Sequence, residues 1–136
     1  MDAKGRRSLE LENECADIVA NRSYRIHQNP TRQEIIAARL HTGDTGEANR
    51  DPDYLVEGHV FDCYSPAPGK TVRGVWTEVH KKVDKGQTQR VVLNLRDWNG
   101  DLTALRNQFD HWPIEKLKEL VAVTPNGAIV QIVRRD

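Results

Sequence analysis

The stretch Asp51-Pro52-Asp53-Tyr54-Leu55-Val56-Glu57-Gly58-His59-Val60-Phe61-Asp62-Cys63-Tyr64 reads as a hairpin. Tyr54-Leu55-Val56 is an extended run, Gly58 marks the turn, and Val60 to Tyr64 forms the return strand. Such a hairpin brings the residues near its two open ends together, so Asp53 and Asp62 should face one another. Asp53 alone suits a turn, since Asp-Pro-Asp is loop chemistry. Asp62 does not: it stands between Phe61 and Cys63 inside a strand, where aspartate is disfavoured. A carboxylate buried there must find a partner or a metal, and two carboxylates side by side raise each other's pKa. Glu57 shares the Asp53 side of its strand by period-two geometry and is a weaker candidate beside the turn.

Outward from the hairpin, the chain alternates helical and extended patterns. Leu11, Cys15, Ile18 and Val19 fall at helical spacing, which predicts a helix over Ser8–Asn21 that breaks at Arg22-Ser23. Residues 1–7 read as a flexible start. Tyr24 to Gln28 is a short strand ended by Asn29-Pro30. Thr31 and Glu34 form a Thr-x-x-Glu capping box ahead of a helix over Arg32–Leu40. His41 to Arg50 is polar with two glycines and reads as a flexible loop. After the hairpin and a Ser65-Pro66-Ala67-Pro68-Gly69 turn, Val72, Val75, Trp76, Val79 and Val83 predict a helix over Lys70–Lys85, closed by Gly86. Arg90 to Leu95 is a buried-type strand, Leu102 to Phe109 a helix, and Ile114 to Lys118 a helical turn. Leu120–Val123 and Ala128–Val133 pair across Asn126-Gly127, a strong hairpin signal. The expected fold is a mixed β-sheet flanked by helices.

Bulk composition narrows the function classes. The chain has 136 residues, 38% hydrophobic and 29% charged, which fits one globular domain. Its 20 basic and 20 acidic residues cancel, so net charge alone gives no pointer to nucleic acid. No apolar run is long enough for a membrane span, and the charged start is not a signal peptide. Cys15 and Cys63 lack the spacing of a zinc cluster and read as small buried hydrophobes. The five histidines show no ligand spacing.

Three further positions gather around the two aspartates. Glu12 lies at the edge of the buried face of the first helix, whereas Glu10 and Glu14 point further toward water. Lys82 lies at the edge of the inward valine face of the Lys70–Lys85 helix, whereas Lys81 and Lys85 point away from it. Gln87 follows that helix and could hold a phosphate or a water, and Lys81 could contribute to substrate binding from outside. Carboxylates with one lysine are what phosphodiester hydrolysis needs. A hard divalent ion held by carboxylates neutralises the anionic centre and acidifies a water. A lysine beside it stabilises the developing charge. The expected ion is Mg2+ or Mn2+, with Zn2+ also open. Removal of Asp62 is expected to leave the fold intact or more stable, because it relieves repulsion.

These residues resemble the PD-(D/E)XK nuclease superfamily and, more narrowly, the C-terminal tRNase domain of contact-dependent growth inhibition toxins of the CdiA type. The resemblance rests on Leu11-Glu12-Asn13-Glu14-Cys15-Ala16-Asp17, Gln28-Asn29-Pro30, Pro52-Asp53-Tyr54-Leu55-Val56-Glu57-Gly58, Val60-Phe61-Asp62-Cys63-Tyr64-Ser65-Pro66, Lys82-Val83 with Gly86-Gln87, and Arg90-Val91-Val92-Leu93-Asn94-Leu95. It implies a restriction-endonuclease-like core and metal-dependent cleavage of tRNA, with Glu12, Asp53, Asp62 and Lys82 as the catalytic set and Asp53, Asp62 and Glu12 on the metal. It also implies a cognate immunity protein and an origin as the end of a larger secreted effector that acts in the cytoplasm of a target bacterium. Two departures stand out. The position two after Asp62 is Tyr64 rather than lysine, and residues 31–50 look inserted. The rival readings are a DNA endonuclease on the same scaffold and a non-catalytic nucleic-acid-binding module.

Overall fold

A computed structural model describes residues 3–21, 24–47 and 51–135. The expected break at Arg22-Ser23, the first two residues and the end of the 41–50 loop lie outside them. Among the described residues, six strands form one sheet whose spatial order equals their chain order. β1 (Ile26–Gln28), β2 (Tyr54–Val56) and β3 (His59–Tyr64) pair antiparallel in succession. β4 (Arg90–Asn94) and β5 (Glu119–Val123) then add in parallel, and β6 (Ile129–Arg134) returns antiparallel. The two parallel steps are bridged by α3 (Val72–Asp84) and α4 (Leu102–His111), as parallel neighbours require.

Helices cover both faces. On one, Val75, Val79 and Val83 of α3 and Leu105 and Phe109 of α4 pack on Val91, Leu93, Leu120 and Ala122. On the other, Cys15, Ala16 and Val19 of α1 (Ala3–Asn21) pack on Tyr54, Phe61, Val92 and Val123. β4 is therefore buried along its whole length, which explains its near-continuous apolar run. Each fully buried valine of the α3 stripe contributes roughly 1.5–3 kcal/mol; a charge at Val79 would undo that face.

Several expected boundaries move. α1 begins at Ala3 rather than Ser8, so residues 3–7 are helical and not a loose start; Arg7 clasps Asp97 through Nε and Nη2 at 2.9 and 2.6 Å. α2 (Arg32–Thr42) carries the predicted capping box of Thr31 and Glu34. α3 starts at Val72, two residues late, because the Thr71 hydroxyl accepts from Gly74 N–H and caps it. Ile114 to Lys118 is not a helical turn but a tight turn closed by Leu117 N–H on Ile114 O at 3.1 Å.

Part of the expected flexible loop is anchored. Asp44 is buried. It accepts from Arg90 Nε at 2.8 Å and Nη2 at 3.3 Å and from Lys118 Nζ at 2.9 Å. Arg90 in turn reaches Glu119 Oε1 at 2.6 Å. Burial pushes the Asp44 carboxyl upward, but the hydrogen bonds from Arg90 and Lys118 hold it well below the usual carboxylate range.

Candidate active site

The β2–β3 hairpin turns on Glu57 and Gly58, whose φ values of 49° and 80° are the positive pair that a tight type I′ turn demands. That turn fixes the register, with Tyr54 opposite Phe61. One step beyond, Asp53 comes opposite Asp62. The two strands interlock through these side chains: Asp53 N–H donates to Asp62 Oδ1 at 3.2 Å, and Cys63 N–H donates to Asp53 Oδ2 at 2.8 Å.

Asp62 is 1% exposed and receives two more donors on its other oxygen, Lys82 Nζ at 2.5 Å and Gln87 Nε2 at 3.1 Å. Helix geometry explains the lysine. At 100° per residue, Lys82 stands about 60° from the Val79 direction, near enough to the buried stripe to reach the sheet. Lys81 falls on the far side and instead meets Glu78 at 3.5 Å. Gln87 joins Lys82 through the end of the helix. Gln87 N–H bonds Lys82 O at 3.0 Å and Gly86 N–H bonds Val83 O at 3.1 Å, the 6→1 and 5→2 pair of a Schellman ending. Gly86 takes the left-handed conformation that this needs, at φ 73°. The fold-back lays Gln87 over Lys82, so both side chains reach one carboxylate oxygen.

Glu12 completes the group from the other layer. The Tyr54 hydroxyl donates to the Glu12 carbonyl, and Asn94 Nδ2 donates to the Leu11 carbonyl at 3.0 Å. These two buried side chains fix α1 at the height of Glu12. Burial, then the charge of Asp62, raises the Glu12 carboxyl, while Lys82 lowers it. The Asp53 carboxyl is pushed up to about 9 by burial first, then by its hydrogen bond and charge interaction with Asp62, with Glu12 adding to the push. For Lys82, burial works downward, but Asp62, through charge and hydrogen bond, and Asp53 behind it outweigh burial and raise the ammonium pKa. Charge and hydrogen bonding thus favour the ammonium form of Lys82 beside Asp62, and burial with the neighbouring acids favours the protonated form of Asp53.

Glu12, Asp53, Asp62, Lys82 and Gln87 are thus brought together, and Lys81 is not. The other acids go elsewhere. Glu57 binds Arg25 N–H and Nε at 2.6 and 3.2 Å, at the closed end of the hairpin. Glu10 meets Arg7 at 3.2 Å. Glu14, expected to point to water, has one buried oxygen without a hydrogen bond and lies 3.7 Å from Arg96. Removing Asp62 would not simply relieve repulsion either, since it would strand Lys82 and Gln87; the strained acid is Asp53. Cys15 is buried, Cys63 is half-buried, and contact with the Cys15 thiol together with burial pushes the Cys63 thiol up.

Sequence reasoning missed Arg39 and the Asp44–Arg90–Glu119 set. Each pairs residues far apart in the chain, and no spacing marks them. The donor chemistry of Asp53, Asp62 and Glu12 fits a hard divalent ion. Their all-oxygen set matches such an ion; burial first, and the charge of Asp62 after it, raise the Asp53 and Glu12 carboxyls. Among the described residues, no group of three or more aspartate, glutamate, histidine or cysteine side chains is placed to hold a metal ion as it stands.

Comparison with known proteins gives a consistent picture. Residues 50–129 match the family model described as the contact-dependent growth inhibition CdiA C-terminal domain. The chain is 34% identical, over 126 residues and 93% of its length, to the protein named tRNA nuclease CdiA-2 of Burkholderia pseudomallei (strain 1026b); it spans 4% of that relative's length. It is also similar to the solved CdiA-CT/CdiI toxin and immunity complex from Burkholderia pseudomallei. There the TM-score is 0.80 at 31% identity, over 96% of this chain and 88% of that one.

Proposed function

Because the chain belongs to the contact-dependent growth inhibition CdiA C-terminal domain family, we propose that it is a toxin domain whose activity is metal-dependent endonucleolytic cleavage of tRNA. The carrying observation is the convergence of Lys82 and Gln87 on Asp62, opposite an Asp53 whose carboxyl is pushed up to about 9. A relative named as a tRNA nuclease supports the substrate. We read the scaffold as a PD-(D/E)XK core whose lysine comes from α3. Tyr64, at the usual lysine position, packs toward the α3–α4 core instead, which leaves that role to Lys82.

Each residue then has a task. Asp53 and Asp62, with Glu12 at the rim, would hold Mg2+ or Mn2+ (Zn2+ is the second choice), and the ion would supply charge neutralisation and a more acidic water. Asp53 would have to be ionised to serve as a ligand. Lys82 stays an ammonium and presents positive charge to the phosphodiester. Glu12, whose carboxyl is raised by burial and by the charge of Asp62, would add its oxygen at the rim of the site. Gln87 holds Asp62 in orientation. A cognate immunity protein is the expected partner, in line with the solved toxin and immunity complex. The expected setting is the end of a larger secreted effector, acting in the cytoplasm of a target cell. Among the described residues, no helix is long and apolar enough to cross a membrane.

The test is cleavage of total tRNA and of plasmid DNA by the wild type and by Asp62→Ala, with EDTA and with Mg2+ or Mn2+ restored. tRNA loss that needs both the ion and Asp62 is expected. Cleavage that persists in EDTA, or that falls on plasmid and spares tRNA, would overturn the reading.

A further inference from the structure

Residues 31–47 cover the turn that carries Gln87. Arg39 is buried, and its guanidinium is spent on main-chain oxygens: Nη2 donates to Gln87 O at 3.0 Å and Nη1 approaches Glu47 O at 3.5 Å. Glu47 N–H donates to Gly86 O at 2.7 Å. Gly46 lies so close that a Cβ there would stand 2.3 Å from Arg39 Nη2 and 2.7 Å from Gly86 O. Arg39 Nε is buried with no hydrogen-bond partner among the described residues. Burial lowers the Arg39 pKa, and the charge of Asp44 opposes that. Asp44 is itself held by Arg90 and Lys118, so the segment is tied to β4 on one side and to the 86–87 turn on the other.

We propose that residues 31–47 are a clamp that sets the end of α3, with Arg39 as a positioning residue acting through Gln87 on Asp62. This rests on the nuclease reading above. The physical reason is directional. The Schellman ending joins Gln87 to Lys82 but leaves the carbonyls of Gly86 and Gln87 pointing outward. A turn free to rock about the helix end would swing the Gln87 amide off Asp62. A guanidinium on one carbonyl and an N–H on the other stop that rocking. Misplacing a positioning group by about 1 Å costs up to a hundredfold in rate.

The decisive experiment is a double-mutant cycle on the domain, read as single-turnover tRNA cleavage, tRNA affinity and melting temperature. Arg39→Met and Gln87→Ala should each lower the cleavage rate about tenfold or more with affinity nearly unchanged. The double variant should be no slower than the slower single one, because both break one link. Arg39→Lys should recover part of the rate. Multiplying losses, or a loss that only tracks the melting temperature, would overturn the clamp. Gly46→Ala, which drives the segment off Gly86, keeps the test open if Arg39→Met does not fold, and it should show the same rate loss. The NMR signal of the Gln87 side-chain amide reads the clamp without RNA. It should move in Arg39→Met, and an unmoved signal refutes the clamp whether or not the domain cuts tRNA. A wild type inert on tRNA with a moving signal would instead refute the nuclease reading.

Discussion

Replacing Asp53 by asparagine should stabilise the metal-free domain at neutral pH. In the unfolded chain this carboxyl ionises near 3.8; in the fold it is pushed up to about 9 by burial, Asp62 and Glu12. Below about pH 4 both states carry the proton, and Asp53 costs nothing. Between there and about 9 the unfolded state releases the proton and the native state keeps it. Stability then falls as pH rises, by at most about 1.4 kcal/mol per unit. Asp53 is half-buried and shares its charge with Asp62, so the cost at pH 7 is on the order of 3 kcal/mol, below that ceiling. Asparagine copies the protonated form: its oxygen still accepts from Cys63 N–H, and its amide can donate to Asp62. Urea unfolding in EDTA at pH 5 and pH 8 measures this. Asp53→Asn should be the more stable protein at pH 8, with a flatter pH dependence. An Asp53→Asn domain as pH-sensitive as the wild type, or less stable at pH 8, would refute the protonated Asp53 and the electrostatics built on it.

Other outcomes follow from the same geometry. Divalent-ion affinity, measured by calorimetry, should strengthen from pH 6 to pH 8, because the ion must displace the Asp53 proton; a flat profile would remove Asp53 from the ligand set. Lys82→Ala should slow single-turnover tRNA cleavage by about two orders of magnitude or more, while Lys81→Ala should mainly weaken RNA binding in a salt-dependent way; the reverse ranking would refute the assigned roles. Asp44→Ala should cost about 3 kcal/mol in urea unfolding, since it leaves buried Arg90 with Glu119 alone and takes the carboxylate from half-buried Lys118. That stability is present above about pH 4 and is lost as pH falls toward the depressed Asp44 pKa; an Asp44→Ala domain as stable as the wild type at pH 7 would remove this anchor.

What could be read in the chain was what depends on near neighbours. The hairpin from Asp53 to Asp62 was legible because its turn and alternation lie within fourteen residues. The phase of α3 was legible because three buried valines fix it, and with it the contrast between Lys82 and Lys81. The capping box at Thr31 and Glu34 is a four-residue signal. By contrast, Asp44 is buried by Arg90 and Lys118, 46 and 74 residues away, and a polar run with glycines carries no trace of them. Arg39 was hidden for the same reason, as its acceptor is the carbonyl of Gln87, 48 residues on. The start of α1 is hidden in the sequence because residues 3–7 lack an apolar stripe; Arg7 gains a partner in Asp97 only once the sheet has formed. Gln87 stands out in the sequence by its place after the helix, but only the fold brings it to Asp62.

The sheet order bears on how quickly the domain can assemble. Each strand lies beside the one before it in the chain, so pairing can advance from either end without threading one segment past another. Only the β2–β3 and β5–β6 pairings are local and cheap to close; β1–β2 and the two parallel steps close over longer segments and carry the slower part of assembly. The carboxylate pair forms within the first hairpin, whereas Lys82 arrives only after α3 docks on the next strand. For a domain proposed to act inside another cell, the docking of α3 would then set when the site becomes competent after transport.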